Sequence, residues 1–359
     1  YFNAATGKYG LVTLAERYGG AVLPRVIVSD TLRAAKRGEK RSHFNKVLLD
    51  RIGEALQAGS QAILFQNRRG FSPYVECGHC GWTANCPDCN VSLTYHKSDG
   101  SLRCHYCGYR IPVPAVCPSC GTGSLLPRGF GTEKIEQELA AIFPEAAIDR
   151  LDADTSQSAG GYRRIVEAFE QGRTDILIGT QIVTKGFDFG GVSLVGILNA
   201  DNLLNYPDFR AGERAFQLMT QVGGRAGRRS EPGTVVIQTA QPQHPVIEQV
   251  LRGDYGAMVR SQLAERRAFF YPPYCRLIAV VMRHRDKELL WRAAGAFAGS
   301  AREVFGRRLL GPEAPPVDRI RGRFLVRFLL KIERRSPSAE AKRLLQELFD
   351  RLHARTEFR

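Results

Sequence analysis

Asp175-Ile176-Leu177-Ile178-Gly179-Thr180-Gln181 decides how the chain folds. Three consecutive aliphatic residues between an aspartate and the small pair Gly179-Thr180 read as a strand that ends in a loop. The same grammar repeats outward. Downstream, Val192 to Leu198 is a strand, Arg214 to Val222 a helix and Gly233 to Thr239 the next strand. Upstream lie a helix from Gly161 to Gln171, a short strand from Ala147 to Leu151, and a helix from Glu133 to Phe143 with Thr132 as its N-cap. Further upstream, Leu23 to Val28 reads as a strand. Residues 44–58 carry Val47, Leu48, Ile52, Ala55 and Leu56 at helical spacing, and Gln61 to Phe65 reads as a buried strand ending at the basic turn Asn67-Arg68-Arg69-Gly70. Strands alternating with helices predict an α/β domain around a parallel, doubly wound sheet.

A cysteine-rich segment interrupts that alternation. Eight of the nine cysteines form four Cys-x-x-Cys pairs, Cys77/Cys80, Cys86/Cys89, Cys104/Cys107 and Cys117/Cys120, within 44 residues. Eight thiolates at this spacing suit two tetrahedral zinc ions held by four sulfurs each, which makes the metal structural. Gly78, Gly81, Gly108 and Gly121 permit the tight turns, and Pro87 and Pro118 stiffen them. Four pairs join two by two in three ways. The preferred arrangement is nested: a hairpin within residues 90–103 brings Cys86/Cys89 onto Cys104/Cys107 (zinc 2), and Cys77/Cys80 then meets Cys117/Cys120 (zinc 1). Disulfides are disfavoured because no signal peptide is visible. His79, His96 and His105 are spare to the two filled sites, and Cys275 reads as a buried apolar side chain.

The 359 residues allow two or three domains, and no apolar run approaches the length of a membrane span. A net charge of +15 points to a polyanionic partner. Past Pro242 the composition changes. Charged helical sequence over 246–270 leads to the breaker Tyr271-Pro272-Pro273-Tyr274. Strands at Leu277–Arg283 and Arg323–Ile332 with helices near 286–304 and 337–354 then make an α+β domain. Arg319, Arg321, Arg323 and Arg327 alternate along one expected strand face beside Phe324 and Phe328, a candidate phosphate contact. Arg33, Lys36, Arg37, Lys40 and Arg41 read as an exposed linker. Trp82, Tyr95, His96, Tyr106 and Tyr109, near Lys97, Arg103 and Arg110, are candidates for stacking on unpaired bases or for a small core.

Three loops are expected to follow strands of the α/β domain, where such sheets place ligands. They are Asn67-Arg68-Arg69-Gly70-Phe71, then Gly179-Thr180-Gln181 through Lys185-Gly186 to Asp188-Phe189, then Gln221-Val222-Gly223-Gly224-Arg225-Ala226-Gly227-Arg228. In the third, two arginines three apart on a helix face one way, the glycines admit a phosphate, and Gln221 can orient water. The second and third loops resemble motifs V and VI of superfamily 2 helicases, and the first resembles motif IV. Four cysteine knuckles set just after Asn-Arg-Arg-Gly-Phe are similar to the primosomal protein N′ (PriA) family, a resemblance covering essentially the whole chain.

That resemblance implies a RecA-like helicase lobe interrupted by a two-zinc insertion and followed by an α+β C-terminal domain. The expected boundaries are 1–40 linking from a first motor lobe, 41–74 and 125–245 for the second lobe, 75–124 for the zinc insertion and 246–359 for the last domain. It implies a 3′→5′ DNA helicase driven by ATP and Mg²⁺ that recognises stalled forks and starts primosome assembly. The partners are forked and single-stranded DNA, single-stranded-DNA-binding protein and other primosome proteins; the setting is the cytoplasm and nucleoid, and the chain acts as a monomer. Carried over, Arg225 and Arg228 face the γ-phosphate with Arg228 as the finger, and Gln221 and Gly224 line the nucleotide cleft. Asp188 links it to the DNA side, and Thr180, Gln181, Lys185, Arg68, Arg69, Arg321 and Arg323 serve DNA. The sequence has no Gly-x-x-x-x-Gly-Lys-Ser/Thr loop and no Asp-Glu-x-His box, so this chain by itself is expected not to hydrolyse ATP. The competing reading is a zinc-ribbon DNA-binding module on a scaffold without catalysis.

Overall fold

The computed structural model describes residues 1–14, 23–66, 74–89, 91–96, 99–104, 106–128, 132–151, 159–180, 189–227, 232–316 and 318–358. Its centre is a six-stranded sheet with the spatial order Arg25–Asp30, Thr234–Thr239, Val192–Ile197, Gln61–Phe65, Ile176–Gly179, Ile148–Leu151. Every neighbouring pair is parallel. Alternate residues of each strand feed opposite faces. Ile63, Phe65, Leu177, Val195, Ile197, Val235 and Ile237 pack beneath the helices Ala159–Glu170, Ala211–Gly223 and Pro245–Arg252. Ala62, Leu64, Ile176, Ile178, Leu194 and Val236 pack beneath Lys46–Gln57 and Thr132–Ile142. Covering both faces explains why these strands are nearly uninterrupted apolar runs. At Gly196 a Cβ would sit 2.9 Å from Leu48 Cδ1, so the helix Lys46–Gln57 packs closely over this strand only because the backbone is bare there.

Several expected boundaries move. The sheet begins at Arg25, inside the stretch read as a linking segment ending at residue 40, because Arg25–Asp30 pairs in full with Thr234–Thr239. The supposed basic linker is also structured. Asp30 accepts from Leu32 N and Arg33 N at 2.9 Å and caps the helix Thr31–Lys36, and Lys40–Arg41 pairs with Phe44–Asn45. Thr132 is the first residue of its helix rather than the cap, and it is fully buried. Residues 246–268, expected in the last domain, belong to the first: Val246, Ile247, Val250 and Met258 lie in the core of the parallel sheet.

The last domain is a four-stranded antiparallel arrangement in which Arg323–Glu333 lies between Cys275–His284 and Leu309–Glu313, with Arg319–Ile320 paired at its start. The helices Lys287–Phe305 and Ser338–Ala354 cover it around Phe297 and Phe328. The strand Leu309–Glu313 escaped the sequence reading, since Gly311 and Pro312 interrupt its alternation. Cys275 is buried as expected, with Sγ 3.2 Å from Phe270 O.

Candidate metal centres and nucleic-acid interface

The cysteine segment leaves the parallel domain along Tyr74–Cys77 and returns along Leu125–Arg128, the two paired antiparallel. Between them, Thr94–His96, Ser101–Arg103 and Arg110–Pro112 form a three-stranded sheet, so the hairpin lies in the gap where it was expected. Each Cys-x-x-Cys is closed by one backbone bond of the same kind: Cys77 N to Trp82 O, Cys86 N to Val91 O, Cys104 N to Tyr109 O and Cys117 N to Thr122 O, at 2.7–2.8 Å. Gly81, Gly108 and Gly121 take φ of +75°, +84° and +73°, and each donates its N–H to the carbonyl of the first cysteine of its pair. Only glycine adopts that conformation without strain. Amide N–H groups of His79, Tyr106 and Tyr109 point at Cys77, Cys104 and Cys107 Sγ at 3.4 Å, which favours thiolate over thiol.

These knuckles gather the sulfurs into two tetrads, Cys77/Cys80/Cys117/Cys120 and Cys86/Cys89/Cys104/Cys107, with every ligand atom within 4.8 Å of the others in its set. The nested arrangement is therefore the one the fold adopts. Zinc–sulfur bonds of about 2.3 Å require tetrahedron edges of roughly 3.8 Å. Sulfur separations of 3.6 Å (Cys77–Cys120), 3.7 Å (Cys80–Cys117) and 3.6 Å (Cys86–Cys107) fit that requirement, and none of the cysteines is disulfide-bonded. The tetrads differ in exposure: Cys80 is exposed, whereas Cys86, Cys89 and Cys104 are buried.

The inner tetrad stands on a junction that sequence reasoning missed. Tyr271, read only as part of a chain breaker, is 2% exposed and donates its hydroxyl to Cys89 O at 2.9 Å. Its ring stacks on Phe209 of the parallel domain at 4.4 Å, lies edge-on to Tyr106 of the cysteine segment, and carries Lys331 Nζ of the last domain 3.9 Å from its centre. Lys331 donates to Phe269 O at 2.9 Å, and burial lowers its pKa. Three parts of the chain thus share one core of Val75, Leu93, Leu102, Tyr106, Phe209, Tyr271 and Leu329. The only sequence signal was an aromatic residue beside a Pro-Pro pair.

This junction also corrects the stacking candidates. Tyr106 is buried, and Trp82, Tyr95 and Tyr109 are half-buried against the same core. Arg103 and Arg110 both pair with Asp99, whose carboxyl is held near 2 chiefly by the Ser101 hydroxyl, against some desolvation, with Arg103 adding to it. His79 is exposed; Lys97 and His105 lie outside the described residues.

The described residues that flank the second and third motif loops lie at opposite edges of the parallel sheet. Thr180 stands at the C-terminal end of the strand Ile176–Gly179, but it is 4% exposed and presents no open face to a phosphate. Around it the edge is tied together by side chains the sequence reading did not single out. Asp201 accepts from Thr239 Oγ1 and Ala240 N at 2.7 and 2.8 Å, and Gln238 bridges Asn45 N, His43 O and Leu198 O. The third motif, expected to follow a strand, instead begins in the last turn of the helix Ala211–Gly223 and its described residues run on to Gly227. Its Gly227 N–H reaches Val192 O at 3.3 Å, where the strand Val192–Ile197 begins, so it lies at the N-terminal edge. The helix stops at Gly223, so Arg225 lies past its end. Gln221 is exposed, and Gly224 and Arg225 are half-buried. Two of the glycines serve packing: a Cβ on Gly223 would press Val235 at 3.3 Å, and one on Gly227, at φ +78°, would fall on the Gly233 amide. Arg68, Arg69, Gln181, Lys185, Asp188 and Arg228 lie outside the described residues.

In the last domain the basic stretch is a hairpin. Ile320 pairs with Arg323 across a two-residue turn in which Arg321 and Gly322 take φ of +49° and +76°. Arg321 is therefore at a tip, not in a strand. Arg319 pairs opposite Phe324, so it shares that side while Arg323 faces the other. Arg327 lies over the Tyr106 ring at 5.3 Å, and Phe328 is wholly buried. Arg319, Arg321 and Arg323 remain exposed.

Known families coincide with these parts. The PriA DNA helicase Cys-rich region (CRR) domain matches residues 86–112, the Primosomal protein N C-terminal domain residues 267–359, and the Helicase conserved C-terminal domain residues 131–230. Replication restart protein PriA of Bacillus subtilis (strain 168) is 39% identical over 96% of this chain. The chain belongs to the PriA family. It spans 43% of the Bacillus subtilis protein, and 47% of the Haemophilus influenzae one, to which it is 37% identical over 96% of its own length. Among solved structures, S. cerevisiae Dbp5 bound to RNA and ADP BeF3 is matched at 12% identity and a TM-score of 0.36, over 69% of this chain and 45% of that one. The match at residue 267 begins where the helix Tyr255–Ala268 ends, the boundary that packing draws. No helix among the described residues is long and apolar enough to cross a membrane.

Proposed function

We propose that this chain forms the second motor lobe, the two-zinc insertion and the C-terminal domain of an ATP-dependent 3′→5′ DNA helicase that recognises stalled forks and initiates primosome assembly. The observation that supports it most is the placement of the two motif loops. One begins at Thr180 on the C-terminal edge of the sheet. The chain re-enters at the buried Phe189 and reaches the N-terminal edge at Val192, whose carbonyl receives Gly227 N–H. The stretch carrying Gln181, Lys185 and Asp188 thus joins, in sequence, the edge assigned to DNA and the edge assigned to nucleotide. A segment so anchored suits the coupling of strand movement to hydrolysis. Arg225 and Arg228 would face the γ-phosphate, with Gln221 and Gly224 beside them, while Arg68, Arg69, Arg321 and Arg323 would meet DNA phosphates. The tetrads would hold two structural zinc ions, setting the insertion rigidly against the lobe.

ATP and Mg²⁺ would be bound with a first lobe that carries the phosphate-cradling loop, so this chain alone hydrolyses no ATP at a useful rate. Single-stranded-DNA-binding protein and primosome proteins are the partners we propose, in the cytoplasm on the nucleoid, with the chain acting as a monomer. DNA-stimulated ATP hydrolysis tests the reading, measured for this chain and for a longer protein in which a first motor lobe precedes it. Activity only in the longer protein, abolished by Arg228→Ala with two zinc ions retained, is expected. DNA binding without hydrolysis in the longer protein, or indifference to Arg228, would leave a zinc-bearing binding module.

A further inference from the structure

Where the cysteine segment meets the last domain lies a cavity of about 350 Å³. His96 and Arg103 line it from the cysteine segment; Lys287, Trp291, Glu313 and Phe324 are among those lining it from the last domain. Lys287, Trp291 and Glu313 have been given no role above.

Its chemistry is graded. Trp291 and Phe324 are half-buried against the core of the last domain and supply flat apolar surface. Cations gather around the Phe324 ring: the Arg319 guanidinium lies 4.9 Å from its centre and the exposed Lys287 ammonium 5.8 Å. Arg103 is held in place by Asp99 and by Ser101 Oγ at 3.0 Å. Two carboxylates, Glu313 and Asp318, also line the cavity and disfavour a phosphate inside it. The lining therefore pairs aromatic surface and two carboxylates with the cations Arg103 and Lys287, and Arg319 stands beside it over the Phe324 ring. That arrangement suits a group with a flat neutral ring and a negative charge one bond system away. Aromatic side chains beside a basic groove are the general means of holding unpaired bases.

We propose that this cavity binds one unpaired nucleotide of a DNA strand, with the base inside against Trp291 and Phe324 and its phosphate outside near Lys287 and Arg319. The inference rests on the reading that the chain binds DNA. Because two domains build the walls, an occupied cavity fixes the cysteine segment against the last domain.

Trp82 and Trp291 are the two tryptophans, so Trp82→Phe leaves Trp291 as the sole reporter. The zinc-loaded chain is titrated with a single-stranded oligonucleotide, and with a strand of equal length that carries abasic sites throughout. Expected is quenching of Trp291 by the first strand and none by the second. Ala314→Phe fills the cavity without altering charge; it should weaken binding of the base-bearing strand about tenfold and leave the abasic strand unaffected. Lys287→Ala, at an exposed lining position, should weaken base-bearing strand binding several-fold and serves should Ala314→Phe fail to fold. Equal binding and equal quenching by the two strands, or indifference to both variants, would overturn the pocket while DNA binding stood. A chain that binds neither strand would remove the DNA-binding reading itself.

Discussion

Tyr271→Phe is the sharpest test of the three-way junction. The substitution removes one hydroxyl and leaves the ring. In its place Cys89 O, buried beneath the junction, loses a donor at 2.9 Å. A buried carbonyl left without a partner costs about 1–3 kcal/mol, so Tyr271→Phe should destabilise by about 1–2 kcal/mol. Tyr271→Leu also removes the stack on Phe209 at 4.4 Å and the face beneath Lys331 Nζ. Aromatic stacking contributes about 0.5–1.5 kcal/mol and a desolvated cation–π pair up to about 2 kcal/mol, so a further ~1–3 kcal/mol is expected. Urea unfolding of the zinc-loaded protein measures both steps. Release of metal to a chelator gives the second readout, because the lost bond sits on a knuckle of the inner tetrad. Inner-tetrad metal should leave faster in Tyr271→Phe while the outer tetrad keeps its rate. If Tyr271→Phe matches wild type in both measurements, the hydroxyl is not holding the cysteine segment, and the account of the junction fails.

Three other outcomes are expected. Gly227→Ala should lower stability by more than about 2 kcal/mol, since its φ is +78° and the new methyl meets the Gly233 amide, whereas Gly224→Ala, at φ −63° with its nearest neighbour at 3.4 Å, should stay within about 0.5 kcal/mol; thermal unfolding of the pair separates a packing glycine from a tolerant one. Excess chelator should remove metal in two phases, first from the tetrad containing exposed Cys80 and later from the buried one, and a single phase would contradict the difference in exposure. His244 caps the helix Pro245–Arg252 by accepting from Val246 N at 3.2 Å, and burial lowers its pKa below the ordinary 6.5. The unfolded chain therefore takes up the proton first, so stability falls as pH drops below 6.5 and is unaffected above it. His244→Asn keeps an N-cap acceptor, and it should flatten the stability profile between pH 6.5 and 5, with no change at pH 8; an unchanged acid slope would refute this.

What the sequence alone determined is what depends on near neighbours. The strands around Ile176–Ile178 and Gln61–Phe65 were legible because a strand buried on both faces needs a short continuous apolar run. The metal tetrads were legible because two thiolates three positions apart bind one ion, and because the hairpin between the inner pairs orders them. What only the tertiary structure decided depends on distant residues. Whether Arg103, Arg110 and Arg327 were available to DNA turned on Asp99 and Tyr106. The edge of the sheet that carries Gln221–Gly227 turned on the direction of the helix Ala211–Gly223 and on a contact with Val192. Tyr271 looked like punctuation because its partners, Cys89, Phe209 and Lys331, are contributed by three separate stretches of chain. Local periodicity carries no information about such meetings; they exist only once the hydrophobic cores have closed and brought those stretches into contact.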